Sequence, residues 1–377
     1  MKGLLNKIIY ILLFCMVPFA AKAEDASNIR IGWIGPLTGS SAALGVDSVP
    51  AIQMAFDKIN SKGGINGRKL ELVVEDDQYL TAKTVSAYTK LVNQQNIKVL
   101  FVITYGGLFA IANRAEKDGV LLLDPLDCDD DIAGLPSNSI CVAKKTEDLG
   151  FVIAEAAAKN GDVPAGIIYF EGDPFMGTAA KASQAKFDEL KHPVAYAEGY
   201  VAGTTDFKSM FLQAKNKGVK SLFFFGYDEM GLAMKQAREL GIQLPFYSMN
   251  TITSPGYKGS AGKAADGAYV VNWLAPRGEE YNQFMDEFKK RIGRNPFLEI
   301  STIPSFDIAQ MLERFLSDPN TLNSSGINVA EVKKKFYATK DYKGLSGPIS
   351  IDSDGITRTL KNRMYTFADG ELKPLTR

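Results

Sequence analysis

Residues 29–77 carry the sequence IRIGWIGPLTGSSAALGVDSVPAIQMAFDKINSKGGINGRKLELVVEDD, which begins and ends with short apolar runs typical of buried strands. Between these runs, in residues 43–64, apolar residues recur at helical spacing. Ile52, Phe56 and Ile59 fall on one helix face, and the glycine pair at 63–64 ends the pattern. A strand, a helix and a second strand in succession predict a pair of parallel strands joined by a helix.

The same alternation of strands and amphipathic helices continues to Asn250. Further strands are expected at VLFVIT, VLLLDP, AGIIYF, AYAEGYV, SLFFFG and PFYSMN, and the pattern restarts after Lys145. We therefore predict an α/β protein with two doubly wound parallel-sheet lobes. Ligands of such sheets bind beyond the carboxyl ends of the strands. Those ends are expected at residues 35–38, 104–107, 124–128, 170–173, 226–227 and 249–250.

The N-terminus is typical of an exported protein. A short basic segment, MKGLLNK, precedes an apolar run, and the small residues of AKA at 21–23 suit cleavage after Ala23. Residues 1–23 are therefore predicted to be a signal peptide, with the mature chain in the periplasm. An uncleaved anchor and lipidation at Cys15 are the alternatives, but the run is short and Phe14 is too large to precede a lipidated cysteine.

The mature chain has a balanced composition. Cleavage removes three lysines and no acids, so 43 basic residues fall to 40 against 43 acidic ones. No basic stripe indicates nucleic-acid binding. No second apolar run of about 20 residues is present, so we expect the mature protein not to span a membrane.

Two cysteines remain after cleavage, Cys128 and Cys141. In an exported protein a single pair is expected to form a disulfide, although two free thiols are the alternative. The pair would close a short loop and stabilise the fold by roughly 2–3 kcal/mol.

The loop between the cysteines belongs to the acidic stretch DPLDCDDDIAGLPSNSIC, residues 124–141. Asp127, Asp129 and Asp131 match the first, third and fifth positions of an EF-hand loop. The positions that need glycine and glutamate carry Ile132 and Asn138, so calcium is not expected. Zinc is not expected either, because the chain has one histidine. The remaining interpretations are a solvated acidic turn and a loop that contacts a ligand.

The sequence contains no recognisable catalytic motif, and we predict no catalytic residue, metal or cofactor. A phosphate-binding GxxxxGK[ST], a GxGxxG after a strand, HExxH and GxSxG are all missing. His192 stands beside Pro193 at an expected helix end, where a surface position is the simplest interpretation.

Four segments resemble the periplasmic branched-chain amino acid (Leu/Ile/Val) binding proteins, the receptors of ABC importers. They are residues 29–78, GTTDFKSMFLQAKNKGVKSLFFFGY, RIGRNPFLEISTIPSFDIAQML and LSGPISIDSDGI. The resemblance implies the type I periplasmic binding protein fold, with two lobes joined by three crossovers around a ligand cleft. It also implies an inner-membrane permease as partner and a monomer in solution.

The resemblance places the crossovers near Lys144, Asn272 and Asn362. The amino-terminal lobe is then expected to hold residues 24–144 and 273–361. The carboxy-terminal lobe is expected to hold residues 145–272 and 362–377.

The family's ligand contacts can be transferred to this sequence position by position. The loop that holds the ligand carboxylate falls on Thr104–Gly107, with Tyr105, Gly106 and Gly107 and no serine. Cys128, next to Asp127, stands where a threonine is usual. A second-lobe tyrosine falls on Phe175 or Met176, the tyrosine after FFFG is retained as Tyr227, and the acid that pairs with the ligand ammonium becomes Asn250.

Both anchors of an α-amino acid are thus altered, and Asp124, Asp127 and Asp129 add negative charge. Aromatic residues at the strand ends suit a ring or an amine, although each singly is also explained as a core residue. For Tyr227 the family position favours ligand contact. The predicted ligand contacts are Trp33, Thr38, Tyr105, Gly106, Gly107, Asp127, Cys128, Phe175, Tyr227, Asn250 and Trp273.

Two ligand classes remain open: an amino acid or close derivative, and an amine, amide or aromatic compound. A sensor for a signalling partner and an exported hydrolase are the alternative functions.

Overall fold

The computed structural model describes residues 28–273 and 278–375, so the predicted signal peptide and Cys15 lie outside the described residues. The helices are α1 (Ser48–Ser61), α2 (Thr81–Tyr88), α3 (Tyr105–Asp118), α4 (Asp130–Ala133), α5 (Thr146–Asn160), α6 (Pro174–Glu189), α7 (Lys208–Asn216), α8 (Glu229–Glu239), α9 (Pro255–Ala261), α10 (Glu279–Ile292), α11 (Glu299–Leu316) and α12 (Val329–Tyr337).

The strands alternate with these helices over most of the chain. They are β1 (Ile29–Gly35), β2 (Leu70–Asp76), β3 (Val99–Val102), β4 (Leu121–Asp124), β5 (Ser139–Cys141), β6 (Ala165–Phe170), β7 (Tyr196–Tyr200), β8 (Ser221–Phe225), β9 (Phe246–Met249), β10 (Tyr269–Trp273), β11 (Leu322–Asn323), β12 (Gly326–Ile327), β13 (Tyr342–Gly344), β14 (Gly347–Ile349), β15 (Asn362–Ala368) and β16 (Glu371–Pro374).

Two separate sheets form the centres of two lobes, as predicted. The first has the order β2-β1-β3-β4-β5 and is parallel throughout. The second has the order β16-β15-β10-β9-β8-β6-β7. β15 pairs antiparallel with β10, and β16 pairs antiparallel with β15, which the sequence analysis did not predict. The turn that joins β15 to β16, Asp369–Gly370, has positive φ at both residues, as a tight hairpin turn requires.

The chain passes between the two lobes three times, as the resemblance implied. It leaves the first sheet after β5 and enters the second at β6. It leaves the second sheet after β10, and α11 then packs against α1 of the first lobe. The chain returns to the second sheet at β15. The residue-level boundaries of the lobes remain a prediction.

The centre of the second sheet is buried on both faces. All five residues of β8, SLFFF, are buried. Phe223 stacks on Tyr247 with ring centroids 4.7 Å apart, and Phe224 meets Phe246 on the opposite face at 4.9 Å. A parallel strand covered by helices on both sides therefore has a continuous apolar run instead of an alternating one.

The first predicted helix is shorter than expected. A single 3₁₀ turn occupies Ala42–Leu44, and α1 begins only at Ser48. The buried Asp47 carboxylate accepts hydrogen bonds from Arg294 and from the backbone N–H of Phe297. These bonds hold the chain before α1 against the segment that precedes α11.

Candidate ligand-binding site

Loops from the two sheets meet at Tyr79 and Tyr227. Tyr79 follows β2 of the first sheet, and Tyr227 follows β8 of the second. Their hydroxyl oxygens are 3.3 Å apart, and their rings meet edge to face with centroids 5.9 Å apart. This contact crosses the gap between the carboxyl ends of the two sheets, where a doubly wound fold binds its ligands.

Asp173 fixes the position of Tyr227 from the second lobe. Its Oδ1 accepts the backbone N–H of Phe175 and caps α6, while its Oδ2 accepts the Tyr227 hydroxyl at 2.5 Å. Burial raises the pKa of Asp173 to about 6, although these hydrogen bonds oppose the rise. Pro174 follows as the first helical residue, a position where its fixed φ suits the helix.

Three aspartates of the acidic stretch are buried, namely Asp124, Asp127 and Asp129. The solvated-turn interpretation is therefore wrong for these residues and holds only for the exposed Asp130 and Asp131. The cause is β5, an unpredicted edge strand that folds the stretch back beside β4.

Two of these aspartates stabilise the local backbone. Asp124 Oδ1 accepts the N–H groups of Leu126 and Asp127 and thereby holds the turn after β4. Asp129 Oδ1 caps α4 through the N–H of Ile132, and its Oδ2 accepts the Tyr105 hydroxyl at 2.5 Å. Burial raises the pKa of Asp124 to about 7.

Asp127 has no comparable role within the described residues. Both of its carboxylate oxygens are buried, and neither has a hydrogen-bond partner there. Burial raises the pKa of Asp127 well above its usual value, and the charges of Asp124, Asp173 and Asp129 raise it further. Lys144 opposes this rise.

Lys144 brings positive charge to the same place from the segment between β5 and α5. It is buried, its Nζ donates to the Leu126 carbonyl at 3.1 Å, and it lies 5.7 Å from the centroid of the Phe175 ring. Burial lowers the pKa of Lys144, while Asp127 and Asp124 counteract the lowering. The site thus combines a buried lysine with several buried carboxyl groups and aromatic walls.

The predicted disulfide between Cys128 and Cys141 is confirmed, with Cα atoms 5.6 Å apart. Cys128 therefore offers no thiol to a ligand. Its backbone N–H donates to Lys144, and its carbonyl accepts from Thr146. The residue holds the Asp127 loop against the segment that enters the second lobe.

The family described as "Periplasmic binding protein" matches residues 28–368. The chain belongs to the periplasmic binding protein family. Among curated relatives, Leu/Ile/Val-binding protein homolog 2 of Brucella abortus is 25% identical over 366 residues, which cover 95% of this chain and 96% of the relative. A leucine-, isoleucine-, valine-, threonine- and alanine-binding protein of Pseudomonas aeruginosa is 27% identical over 277 residues, which cover 72% and 74% of the two chains.

Solved structures show the same fold. The branched-chain amino acid transporter substrate binding protein LivJ of Streptococcus pneumoniae, in complex with isoleucine, superimposes with a TM-score of 0.80. It is 24% identical, and the match covers 92% of this chain and 97% of that one. A solute binding protein of an ABC transporter from Rhodopseudomonas palustris, in complex with benzoate, gives a TM-score of 0.79 at 18% identity, with 92% and 95% covered.

Within this periplasmic binding protein, two of the predicted contacts, Trp33 and Thr38, have hydrogen-bond partners in the first lobe. Trp33 is fully buried in the first lobe and donates its indole N–H to Ser48, which in turn contacts Ser305. This contact gives Trp33 a structural role. Thr38 is exposed and donates to Asp76.

The predicted contact loop Thr104–Gly107 is a helix start. Thr104 precedes α3, whose first turn contains Tyr105, Gly106 and Gly107. A Cβ on Gly107 would lie 2.3 Å from Thr84 Oγ1 of α2, so glycine is explained by the close approach of these two helices. α3 therefore begins at Tyr105, before the predicted helix start, because its packing against α2 accommodates the two glycines in the first helical turn.

Asn250 and Trp273 line a cavity of about 410 Å³, together with residues that include Asn272, Arg294 and Phe297. Asn250 Nδ2 donates to Asn272 Oδ1 at 3.1 Å. The Asn250 Oδ1 and Trp273 Nε1 atoms are buried without a hydrogen-bond partner among the described residues. This cavity lies beside the Tyr227 loop, since Thr251 donates to the Gly226 carbonyl.

Tyr79, Lys144 and Asp173 were missing from the predicted contacts. Asp173 ended one of the predicted strand-end loops, and its Asp-Pro pair is a helix-start signal. Tyr79 follows the strand KLELVVEDD, and the same strand-end rule would have found it. The sequence analysis named Lys144 only as the place of a crossover between lobes. Nothing in the sequence around it indicates that its side chain is buried.

No group of acidic, histidine or cysteine side chains suited to a metal ion occurs among residues 28–273 and 278–375. Over the same residues, no helix has the length and apolar character needed to cross a membrane. His192 is exposed just beyond α6.

Proposed function

We propose that this periplasmic binding protein is the receptor of an ABC importer and captures a small solute between its two lobes. The observation that carries the proposal is the contact between Tyr79 and Tyr227 beside the buried groups Asp127, Lys144 and Asp173. Polar side chains from both lobes are thereby enclosed where the carboxyl ends of the two sheets face each other.

Cleft closure explains how such a site works. Buried polar and charged groups are costly unless they are paired. A solute that supplies the missing partners binds the closed arrangement better than the open one and shifts the hinge equilibrium towards it. A permease in the inner membrane would then recognise the closed form.

The ligand class is proposed to be a small amino-acid-like, amine, amide or aromatic solute. Cys128 is disulfide-bonded where the family usually has a threonine, and Asn250 donates its amide N–H to Asn272. Neither residue provides the anchors expected for an α-amino acid. The complexes with isoleucine and benzoate show how widely ligands vary on this fold.

The mature receptor is proposed to begin at Glu24, reside in the periplasm and act as a monomer. Its lobes are proposed to comprise residues 24–144 with 273–361, and 145–272 with 362–377.

A thermal-shift screen of the mature protein against amino acids, amines, amides and aromatic acids tests the proposed function. A ligand at a hundred times its Kd stabilises the folded state by about 2.7 kcal/mol. We expect a clear rise in Tm with one class and recovery of the compound unchanged by mass spectrometry. Conversion of the compound would contradict the receptor and support a hydrolase.

A further inference from the structure

Asp127 differs from the carboxyl groups around it. Asp124 and Asp129 accept backbone N–H groups, and Asp173 caps α6 and accepts the Tyr227 hydroxyl. Asp127 is fully buried, and its two oxygens have no such partner among the described residues. A buried carboxylate without a donor is destabilising, so the fold itself gives no reason for an acid at this position.

The position of Asp127 points to the space between the lobes. It follows β4 of the first sheet, yet it interacts electrostatically with Asp173 of the second lobe. Within its own lobe it interacts with Tyr79, whose hydroxyl meets Tyr227 across the gap. Phe175 and Tyr227 are buried on the second-lobe side. Asp173 accepts the backbone N–H of Phe175 and the hydroxyl of Tyr227. The unpartnered acid thus interacts with the carboxyl group that holds these two aromatic residues of the facing lobe.

Acidic side chains outnumber basic ones around Asp127. Asp124, Asp127, Asp129 and Asp173 are buried with Lys144 as the facing cation, and the Lys144 ammonium group already donates to a backbone carbonyl. We propose that Asp127 is the anchor for a protonated amine on the ligand, which makes the solute class of this receptor cationic. The inference rests on the proposed receptor function.

An amine fits these groups better than the alternatives do. An ammonium group brings one positive charge and several N–H donors, and it can also lie against tyrosine and phenylalanine rings. A carboxylate ligand would add to the negative charge around Asp127. An amide could donate hydrogen bonds but would not favour the ionised carboxylate.

The raised pKa of Asp127 predicts a second measurable effect of amine binding, which is proton release. The titratable groups that interact with it are Asp124, Lys144, Asp173, Asp129, Tyr79 and Tyr105. A protonated amine favours the ionised carboxylate, so amine binding is expected to release a proton and to weaken as the pH falls. Binding of an amide would release none.

The test compares head groups on a constant skeleton. Benzylamine, benzamide and benzoate form one series, and isopentylamine, isovaleramide and isovalerate form another. Titration calorimetry of the mature protein in two buffers of different ionisation enthalpy gives both the affinity and the number of protons released. We expect an amine to bind most tightly in at least one series, with proton release.

Asp127→Asn removes the charge and keeps the shape of the side chain. It is expected to lower amine affinity at least about 30-fold, as the loss of one partner from a buried charge pair does. Asp131→Asn removes the same charge from the exposed part of the same stretch and is expected to change the affinity less than about twofold. A Tm of Asp127→Asn equal to or above that of the unmodified protein shows that the variant is folded.

Tighter binding of an amide or carboxylate in both series, or amine affinity unchanged in Asp127→Asn, overturns the amine anchor and leaves the receptor function standing. Failure of the unmodified protein to bind any compound, in these series and in the broader screen, overturns both proposals.

Discussion

Tyr227 connects the two lobes through a single hydroxyl. It donates to Asp173 in its own lobe and lies 3.3 Å from the Tyr79 hydroxyl of the other. Tyr227→Phe leaves Asp173 Oδ2 buried without this donor, so we expect a loss of about 1–3 kcal/mol in the free energy of unfolding. Urea denaturation measures this loss.

Tyr79→Phe is the matched control, because it removes the other hydroxyl of the pair. Tyr79 is half-buried, and its hydroxyl meets Tyr227 only when the lobes are together. We expect less than about 1 kcal/mol of lost stability but weaker binding of any ligand that closes the cleft. Equal destabilisation by the two variants would contradict the assigned role of Asp173.

Buried carboxyl groups give the ligand-free protein an unusual pH dependence. Asp307 is a buried residue of α11 whose carboxylate accepts the backbone N–H groups of Leu345 and Ser346. Burial raises the pKa of Asp173 and of Asp307 to about 6 and that of Asp124 to about 7. Between about pH 4 and 7 the folded state therefore binds more protons than the unfolded state, and stability falls as the pH rises. We expect a free energy of unfolding at least about 2 kcal/mol higher at pH 5 than at pH 7.5.

Urea titrations of the ligand-free protein across this range measure the slope. Stability that falls steadily on acidification from pH 7.5 to 5 would show that these carboxyl groups are ionised at ordinary pKa values.

At the residue level, sequence reasoning found groups that follow strands and missed what depends on packing. Asp127, Phe175 and Tyr227 follow predicted strands. Phe175 and Tyr227 both contact Asp173, and Asp127 interacts electrostatically with the same carboxyl group. The burial of Asp124 and Asp129 depends on β5, a three-residue strand that is too short to carry a periodic signal. The core position of Trp33 depends on α11, which lies far away in sequence.

At the level of elements, the approach of α2 to α3 explains two glycines. Gly107→Ala places a Cβ 2.3 Å from Thr84 Oγ1 and is expected to lower the free energy of unfolding by about 1–3 kcal/mol. Gly177→Ala in α6 is the control, because no heavy atom lies within 4 Å of its added Cβ. It is expected to be neutral or to stabilise the protein by up to about 1 kcal/mol. Equal effects in urea denaturation would contradict close helix packing at Gly107.

The disulfide crosslinks the loop that contains Asp129 and adjoins Asp127. Its cysteines are 13 residues apart, so replacing both with alanine is expected to lower the free energy of unfolding by about 3 kcal/mol. Ligand affinity should also fall, since the Asp127 loop loses a constraint. Urea denaturation and calorimetry measure the two effects, and an unchanged urea midpoint would contradict the structural role.

For the whole molecule, the alternation of strands and helices was enough to predict two parallel-sheet lobes. The antiparallel addition of β15 and β16 was not predictable from that alternation, because these strands reach the second sheet after a long excursion through the first lobe. Because Tyr79 and Tyr227 belong to different lobes, their contact requires the two lobes to be close together.

The distance between the lobes, with and without ligand, is the measurement that tests the receptor function most directly. Spin labels on cysteines introduced at the exposed Lys83 in α2 and Lys181 in α6 report it by pulsed electron paramagnetic resonance. Both native cysteines of the mature chain are disulfide-bonded, so labelling is specific. We predict that a saturating ligand from the thermal-shift screen shortens and narrows the distance distribution. A distribution unchanged by a bound ligand would contradict capture by cleft closure.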